Sequence, residues 1–175
     1  MRTDYIRTDT ISVLLFALQE GNRLACEVVL ATGWRIEDVL ELQTAQLQAV
    51  KSKKRKRIAI TERKTGKRSA RYLPADLFER LLAYAGTVYV FEGRDDYRKH
   101  RTRQAVYMDL KRAAKRFNIK INLAPHSLRK NYAVYLREQG KSLEEIQAIM
   151  NHADLTTTII YALSDELSAR ARQKK

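Results

Sequence analysis

Apolar residues recur at helical spacing along most of this chain, which predicts a mainly helical fold. Residues 11–19 and 23–31 both show this spacing, and Thr32-Gly33 offers a glycine stop, so we expect a hairpin of two helices near the start. Similar stripes predict helices or short helical elements at residues 36–42, 74–85, 105–117, 125–140, 142–151 and 156–163. Ser142 and Glu145 have the spacing of a capping box at the start of one of them.

One stretch departs from the helical period. Residues 57–61 alternate between polar and apolar side chains and predict a strand, Lys64-Thr65-Gly66-Lys67 predicts a turn, and residues 69–73 predict the returning strand. A short extended segment is expected at residues 88–91. The predicted fold class is therefore α+β, mainly α-helical with a small antiparallel β-sheet, and 175 residues fit a single domain.

The charge of the chain narrows the class of its partner. Lys and Arg number 34 against 20 Asp and Glu, which gives a net charge of +14 and a pI near 10.0. Residues 51–72 alone hold eleven basic residues and one acid, Glu62. Such a balance favours nucleic acid as the partner, although ribosomal and membrane-surface proteins are equally basic. Charge alone does not predict an enzyme.

Other features of the sequence argue against a disulfide-bonded, metal-binding or membrane-spanning protein. Cys26 is the only cysteine, so no disulfide within the chain and no cysteine-rich zinc site is expected, and a buried structural thiol in a reducing cytoplasm is favoured. The longest uninterrupted apolar run, residues 13–18, is too short to span a bilayer, which favours a soluble intracellular protein. The acidic residues are too scattered to predict a metal site.

Six polar residues supply what phosphodiester cleavage needs, namely a nucleophile, cations for the nonbridging oxygens and a proton for the departing alkoxide. His152 follows Arg129 by 23 residues, and Tyr161 follows His152 by 9. Any one of these residues alone is more typical of packing or of a surface position, but their conjunction favours catalysis. The six candidates, in chain order, are Arg35, Lys64, His126, Arg129, His152 and Tyr161.

Asp38 lies one helical turn from Arg35, so we expect its carboxylate to reach back to that guanidinium. Taken in isolation, the pair is more typical of a solvated salt bridge at a helix end.

These residues lie in motifs that resemble those of a known family, the tyrosine recombinases or phage-type integrases. The motifs are Thr32-Gly33-Trp34-Arg35-Ile36-Glu37-Asp38, Arg63-Lys64-Thr65-Gly66-Lys67, Tyr72-Leu73-Pro74, Gln104-Ala105-Val106-Tyr107, residues 111–115, His126-Ser127-Leu128-Arg129, residues 146–152 and residues 157–161. Each motif is weak alone, but together and in this order they cover nearly the whole chain. The catalytic domain of the family is similar to that of type IB topoisomerases.

The resemblance implies that Tyr161 attacks a DNA phosphate to give a 3′-phosphotyrosyl link and a free 5′-hydroxyl, without metal, ATP or any cofactor. Arg35 and Arg129 are expected to bind the phosphate, with Asp38 orienting Arg35. Lys64 is expected to be the general acid, and Lys67 is the competing candidate. His126 and His152 are expected to assist proton movement and to stabilise the transition state.

The resemblance also implies partners. Double-stranded DNA is the expected ligand, on the nucleoid of a bacterial host. We expect a monomer off DNA and a homotetramer on recombining DNA, with residues 164–175 as a tail exchanged between subunits. The residues expected to contact DNA are Lys67, Arg68, Arg101, Arg103, Gln104, Lys111, Arg112 and Lys115.

The chain departs from the family pattern at two points. Asn151 stands where glycine usually precedes the second histidine, which is expected to alter the local turn without removing a catalytic group. The catalytic motifs begin within the first forty residues, so residues 1–175 are interpreted as one catalytic domain without a separate N-terminal DNA-clamping domain, either an excised fragment or a naturally short recombinase. Modest DNA affinity and slow cleavage are therefore expected. Topoisomerase-like relaxation of DNA and a noncatalytic DNA-binding module are the alternatives.

Overall fold

Helices make up most of the fold, as the apolar spacing predicts. The computed structural model describes residues 5–6, 8–166 and 169. Within them the α+β class with one small antiparallel sheet is confirmed. The elements are α1 (Thr8–Phe16), α2 (Glu20–Thr32), α3 (Ile36–Leu40), α4 (Thr44–Gln48), β1 (Arg57–Thr61), β2 (Arg68–Tyr72), α5 (Ala75–Tyr84), α6 (Arg103–Arg116), α7 (Pro125–Glu138), α8 (Leu143–Met150) and α9 (Leu155–Ala162).

Helix α2 lies at the centre and packs against α1, α3, α5, α6 and α7. Its buried side chains join a large core that extends from α1 to the start of α7. Cys26 is fully buried there, and burial raises the pKa of its thiol, as expected for a structural cysteine. A second, smaller core lies between α7, α8 and α9 and includes Tyr132, Ile146 and Ala162. Tyr161 on α9 packs against this second core.

In the ranges that the structure describes, no helix has the length and apolar character needed to cross a membrane.

The hairpin forms where the alternating pattern predicts it. Strands β1 and β2 are antiparallel, with Arg57 opposite Tyr72 and Thr61 opposite Arg68, so β2 begins one residue before the predicted strand. Ile58 and Ile60 turn into the core while the residues between and beside them are more exposed. This alternation fixes the register, because a slip of one residue would expose both isoleucines. The turn that carries Lys64 is thereby fixed relative to the core.

Helix α2 ends at Gly33, which adopts a left-handed conformation with φ of 69°. A Cβ added at this position would lie 2.1 Å from Cδ1 of Tyr132. Glycine is thus required for two reasons, the backbone conformation and the close approach of α7. The predicted glycine stop is confirmed.

Other elements differ from the sequence predictions in detail. Helix α4 was not predicted, because five residues are too few to show a period. Residues 88–91 form no strand, and Tyr89 makes only an isolated bridge with Gln43. The predicted capping box is confirmed, since Ser142 Oγ accepts the backbone N–H of Glu145 at 3.2 Å and the Glu145 carboxylate accepts that of Ser142 at 2.9 Å.

The chain continues as a helix at residues 164–166. Arg137 on α7 pairs there with Asp165 at 2.9 Å and with Glu166 at 2.8 Å. The start of the expected exchange tail therefore packs on its own chain. The rest of that tail lies outside the described residues, apart from Ala169.

Candidate active site

Arg129 on α7 occupies the centre of the candidate site. Its residue surface is only 2% exposed, and its guanidinium donates hydrogen bonds to the backbone carbonyls of Gly33 and Met150. Burial, reinforced by the charge of Arg35, lowers its pKa to about 10. Two guanidiniums thus lie close enough to repel each other, which is the arrangement expected of a site for a doubly coordinated anion.

Arg35 lies immediately before α3, in an extended conformation. The expectation that Asp38 contacts this guanidinium is wrong: Arg35 Nη1 donates instead to Glu62 Oε2 at 2.5 Å. Asp38 accepts the backbone N–H of Arg63 at 2.9 Å, so it holds the hairpin turn. The reason is geometric, because the hairpin brings Glu62 onto Arg35 while the Asp38 carboxylate faces the turn. Burial raises the pKa of Asp38, against the opposing effects of the Arg63 N–H and of Arg35.

Tyr161 on α9 packs against His152. The two rings meet edge to face with centroids 4.9 Å apart. His152 Nδ1 also lies 3.0 Å from the Oγ1 atom of Thr158, which is on α9 like Tyr161. The Nζ atom of Lys130 lies 5.7 Å from the Tyr161 ring centroid. Tyrosine and histidine are therefore held as a unit, with Thr158 restricting the rotation of the imidazole.

The electrostatics of this unit follow from burial and from the arginines. Burial raises the pKa of Tyr161, although the charges of Arg129 and Arg35 pull it down. Burial, together with the charges of the same two arginines, lowers the pKa of His152 to about 4. Without DNA, the phenol is therefore protonated and the imidazole of His152 is neutral at pH 7.

His126 and Lys64 lie on the open side of the site. Together with Arg35, Asp38 and Arg103 they line a cavity of about 410 Å³. Both side chains are exposed, as is Lys67, which is not part of that lining. Partial desolvation lowers the pKa of His126, and the charge of Arg129 adds to the effect.

The six candidates therefore form two adjoining groups. Arg35, Lys64 and His126 line the cavity, whereas His152 and Tyr161 pack on each other and Arg129 lies within electrostatic range of both. Arg129 and Arg35 act electrostatically on the two histidines and on the tyrosine, which places all five side chains in one positive field. Such a field favours a phosphate and a developing phenolate.

The residues expected to contact DNA divide between two sides of α6. Arg103 and Gln104 line a cavity of about 240 Å³ next to His126, and Lys111 donates to Asn122 in the same lining at 3.3 Å. Lys115 is exposed one turn further along. On the hairpin, Lys67 and Arg68 are also exposed.

Two of the expected contacts lie away from the cavity next to His126. Arg101 and Arg112 line a different cavity, of about 590 Å³. Arg101 turns inward and donates to Asn22 Oδ1 at 3.1 Å and to Tyr84 Oη at 3.2 Å, so the structure assigns it a packing role that the sequence prediction missed. Arg112 pairs with the buried Asp109 at 3.1 Å.

In the part of the chain that the structure describes, no group of three or more His, Cys, Asp or Glu side chains is placed to hold a metal ion.

Comparison with known families decides the class to which this arrangement belongs. The sequence matches the model of the Phage integrase family over residues 5–167. The chain belongs to this family. The predicted membership among the tyrosine recombinases is therefore confirmed.

Curated tyrosine recombinases resemble the chain in sequence. A tyrosine recombinase of Thermosipho africanus is 30% identical over 167 residues, which cover 90% of this chain and 56% of that protein. The XerD recombinase of Halalkalibacterium halodurans is 43% identical over 60 residues, covering 34% of this chain and 20% of XerD. The chain thus spans about half the length of the first of these relatives.

Solved structures of tyrosine recombinases share the fold. The crystal structure of XerA recombinase superposes with a TM-score of 0.74 at 19% identity, covering 98% of this chain and 62% of that one. The catalytic domain of bacteriophage HP1 integrase gives 0.67 at 20% identity, covering 93% of this chain and 89% of that one.

Sequence reasoning about this integrase-family chain missed Glu62 and recognised Asn151 only as a departure from glycine. Glu62 is 1% exposed and bonded to Arg35, and Asn151 Nδ2 donates to Glu62 Oε1 at 2.6 Å. Asn151 keeps the left-handed conformation, with φ of 49°, which asparagine tolerates well. A signal for Glu62 was present, because it is the one acid within the basic stretch 51–72.

Proposed function

We propose that the chain breaks and rejoins DNA strands at specific sites, with Tyr161 as the nucleophile. The observation that carries this proposal is the packing of Tyr161 on His152 within the field of Arg129 and Arg35. In the proposed step Tyr161 Oη loses its proton and bonds to phosphorus, while the bond from phosphorus to the 5′-oxygen breaks. The products are a 3′-phosphotyrosyl link and a 5′-hydroxyl, and attack by another 5′-hydroxyl reverses the step.

The two arginines bind the nonbridging oxygens of the phosphate in this proposal. A guanidinium has five N–H donors. Arg129 uses donors on Nη1 and Nη2 for backbone carbonyls, and Arg35 uses one on Nη1 for Glu62, so both retain donors for the phosphate. Because these side chains are already oriented, little reorganisation is needed when charge develops on the phosphate.

Proton transfers are assigned to the remaining candidates. The raised pKa of Tyr161 means that its proton must leave during attack, and the neutral imidazole of His152 beside it is proposed as the base that takes up this proton. Lys64 is proposed as the acid that protonates the 5′-oxygen, since it lines the cavity with Arg35 and His126. Lys67 lies in the same turn and remains the competing candidate.

Double-stranded DNA is the proposed partner. A solved XerH recombinase, which shares the fold with a TM-score of 0.71 at 19% identity, is described as bound to its palindromic difH substrate in a post-cleavage complex. The exposed basic residues beside His126 and on the hairpin suit phosphate contacts. We further propose a monomer off DNA and a tetramer on it, acting at the bacterial nucleoid, with residues 1–175 forming the catalytic domain. The phosphotyrosyl bond retains the energy of the broken phosphodiester, so the proposed scheme needs no ATP, and the two arginines supply the positive charge that a metal ion would otherwise bring to the phosphate.

The decisive experiment compares the unmodified chain with Tyr161→Phe on a nicked suicide duplex, from which the released strand diffuses away. The unmodified chain should form a covalent protein–DNA adduct. Tyr161→Phe should form none and should bind DNA with nearly the same affinity. Equal adduct yields would refute the assignment of Tyr161, and binding without any adduct from either protein would favour the noncatalytic module.

Site preference separates recombination from the topoisomerase alternative. A recombinase should form adducts at particular positions in a pool of duplex sequences, whereas relaxation of supercoils needs no such preference. The similarity to named recombinases favours the first outcome.

A further inference from the structure

We propose that Glu62 and Asn151 are positioning residues that hold Arg35 in its phosphate-binding orientation. Through them, the segments that carry Arg35, Lys64 and His152 are connected. This inference rests on the proposed function, because the bound phosphate is that of the DNA strand.

Both carboxylate oxygens of Glu62 accept hydrogen bonds, which hold the side chain in place. Oε1 accepts from Asn151 Nδ2 at 2.6 Å, while Oε2 accepts from Arg35 Nη1 at 2.5 Å and from Thr65 Oγ1 at 3.1 Å. The residue is 1% exposed, so water does not compete for these contacts. A buried carboxylate with partners on both oxygens has one orientation, and it imposes one orientation on the guanidinium that it binds.

The chain positions of these residues make the contact more than a local ion pair. Glu62 lies two residues before Lys64, at the start of the hairpin turn, and Asn151 directly precedes His152 at the end of α8. A second anchor lies next to the first, because the Arg63 N–H donates to Asp38 on α3. A shift in the turn or in the end of α8 would therefore be transmitted to Arg35.

The charge of Glu62 also has a role in this arrangement. Arg35 and Arg129 repel each other. The charge of Arg35 lowers the pKa of Arg129, and the charge of Glu62 raises it. Without the carboxylate, repulsion would favour movement of Arg35 toward solvent, since Arg35 is the less buried of the two. The single contact to Nη1 leaves the other donors of Arg35 for a phosphate.

Asn151 allows the contact to be tested without disturbing the backbone. Asparagine and glycine both tolerate the left-handed conformation observed at this position. Asn151→Gly therefore removes the hydrogen bond to Glu62 while preserving the turn before His152. Glu62→Gln removes the negative charge and keeps the shape of the side chain.

The experiment measures the single-turnover rate of covalent adduct formation at saturating nicked duplex, together with DNA affinity. Glu62→Gln and Asn151→Gly should each lower the rate by about 10- to 100-fold, the size of loss caused by misplacing a reacting group by about 1 Å. DNA affinity should change much less. Because both residues act through Arg35, the double variant should be no slower than the slower single variant. Glu41→Gln, which removes the exposed partner of Arg63 on the same turn, is the matched control and should leave the rate unchanged.

Unchanged rates in both single variants, or losses that multiply in the double variant, would overturn the proposal. A second readout is independent of activity: Arg35 Nη protons should give separate, slowly exchanging NMR signals in the unmodified chain and averaged signals in Glu62→Gln and Asn151→Gly. Averaged signals in the unmodified chain would also overturn it. If the unmodified chain forms no adduct, the proposed function fails, and the NMR signals alone decide whether Arg35 is held.

Discussion

Arg129 donates a hydrogen bond to the backbone carbonyl of Gly33, which joins α7 to the end of α2 at the centre of the candidate site. Gly33 can present this carbonyl only because it lacks a side chain, as its φ is 69° and the Tyr132 ring occupies the place of a Cβ. The position of the arginine therefore depends on a glycine 96 residues earlier in the chain.

Gly33→Ala should lower the free energy of unfolding by about 2–4 kcal/mol, since it combines a left-handed alanine with overpacking against Tyr132. Adduct formation should slow as well, because the carbonyl that holds Arg129 must move. Urea denaturation measures the first effect. Gly140→Ala is the control, because Gly140 has φ of 79° with open space around it and should lose only about 1–2 kcal/mol. If both variants lost the same free energy of unfolding, the contact of an added Cβ with Tyr132 would not destabilise the fold.

Arg129→Lys and Arg35→Lys should both slow adduct formation by about 10²–10³-fold, because an ammonium lacks the forked donors needed by a phosphate. Their effects on stability should differ. Arg129→Lys leaves two buried carbonyls short of donors and should lose about 2–4 kcal/mol, whereas Arg35→Lys should lose less. Thermal unfolding and single-turnover rates separate the two effects, and equal destabilisation by both variants would contradict the buried position of Arg129.

Stability should fall as the pH is lowered between about 6.5 and 4. His152 has an ordinary pKa of 6.5, and in the folded chain burial and the arginines lower it to about 4. Between these values the unfolded chain binds more protons, so protonation favours unfolding, and the effect is complete below the folded pKa.

His152→Asn should flatten this part of the stability curve, because it removes the titrating ring and keeps a polar group near Thr158. Urea denaturation at several pH values provides the measurement. His126→Gln is the companion variant, since the pKa of His126 is lowered in the same direction. Parallel curves for His152→Asn and the unmodified chain would show that the imidazole is not shielded from protons.

Arg103→Ala should affect DNA binding, whereas Arg101→Ala should affect thermal stability. Arg103 borders the cavity that contains His126, so its loss should weaken DNA binding and reduce the slope of log affinity against log salt by about 1. Arg101 is bonded to Asn22 and Tyr84, so its loss should reduce thermal stability and leave the salt slope unchanged. If Arg101→Ala reduced the slope and Arg103→Ala did not, the roles assigned to these two arginines would be wrong.

Local patterns predicted the elements because the signals that form them are local. The alternation at Ile58 and Ile60 predicted β1, and the pair Ser142 and Glu145 predicted the start of α8. Caps and periodic apolar faces are decided by residues within a few positions of one another. The order of the six candidates was likewise readable, since it is a property of the sequence itself.

Contacts between distant segments could not be read in the same way. Asp38 was expected on Arg35 because it is three residues away, but the fold brings Glu62 there from 27 residues away. Arg101 stays a predicted DNA contact, but its hydrogen bonds to Asn22 on α2 and Tyr84 on α5 were not foreseen from the sequence. Such pairings depend on how the elements pack, and no helical or strand period encodes them.

The two hydrogen bonds of Arg129 also affect how this position can change during evolution. Its two carbonyl acceptors belong to different halves of the fold, since Gly33 ends α2 in the larger core and Met150 lies in the smaller one. Arg129 therefore serves the packing of the fold as well as the proposed chemistry. A relative that lacked a counterpart of Tyr161 would still be under pressure to keep this arginine, so its retention in a relative is weak evidence of activity.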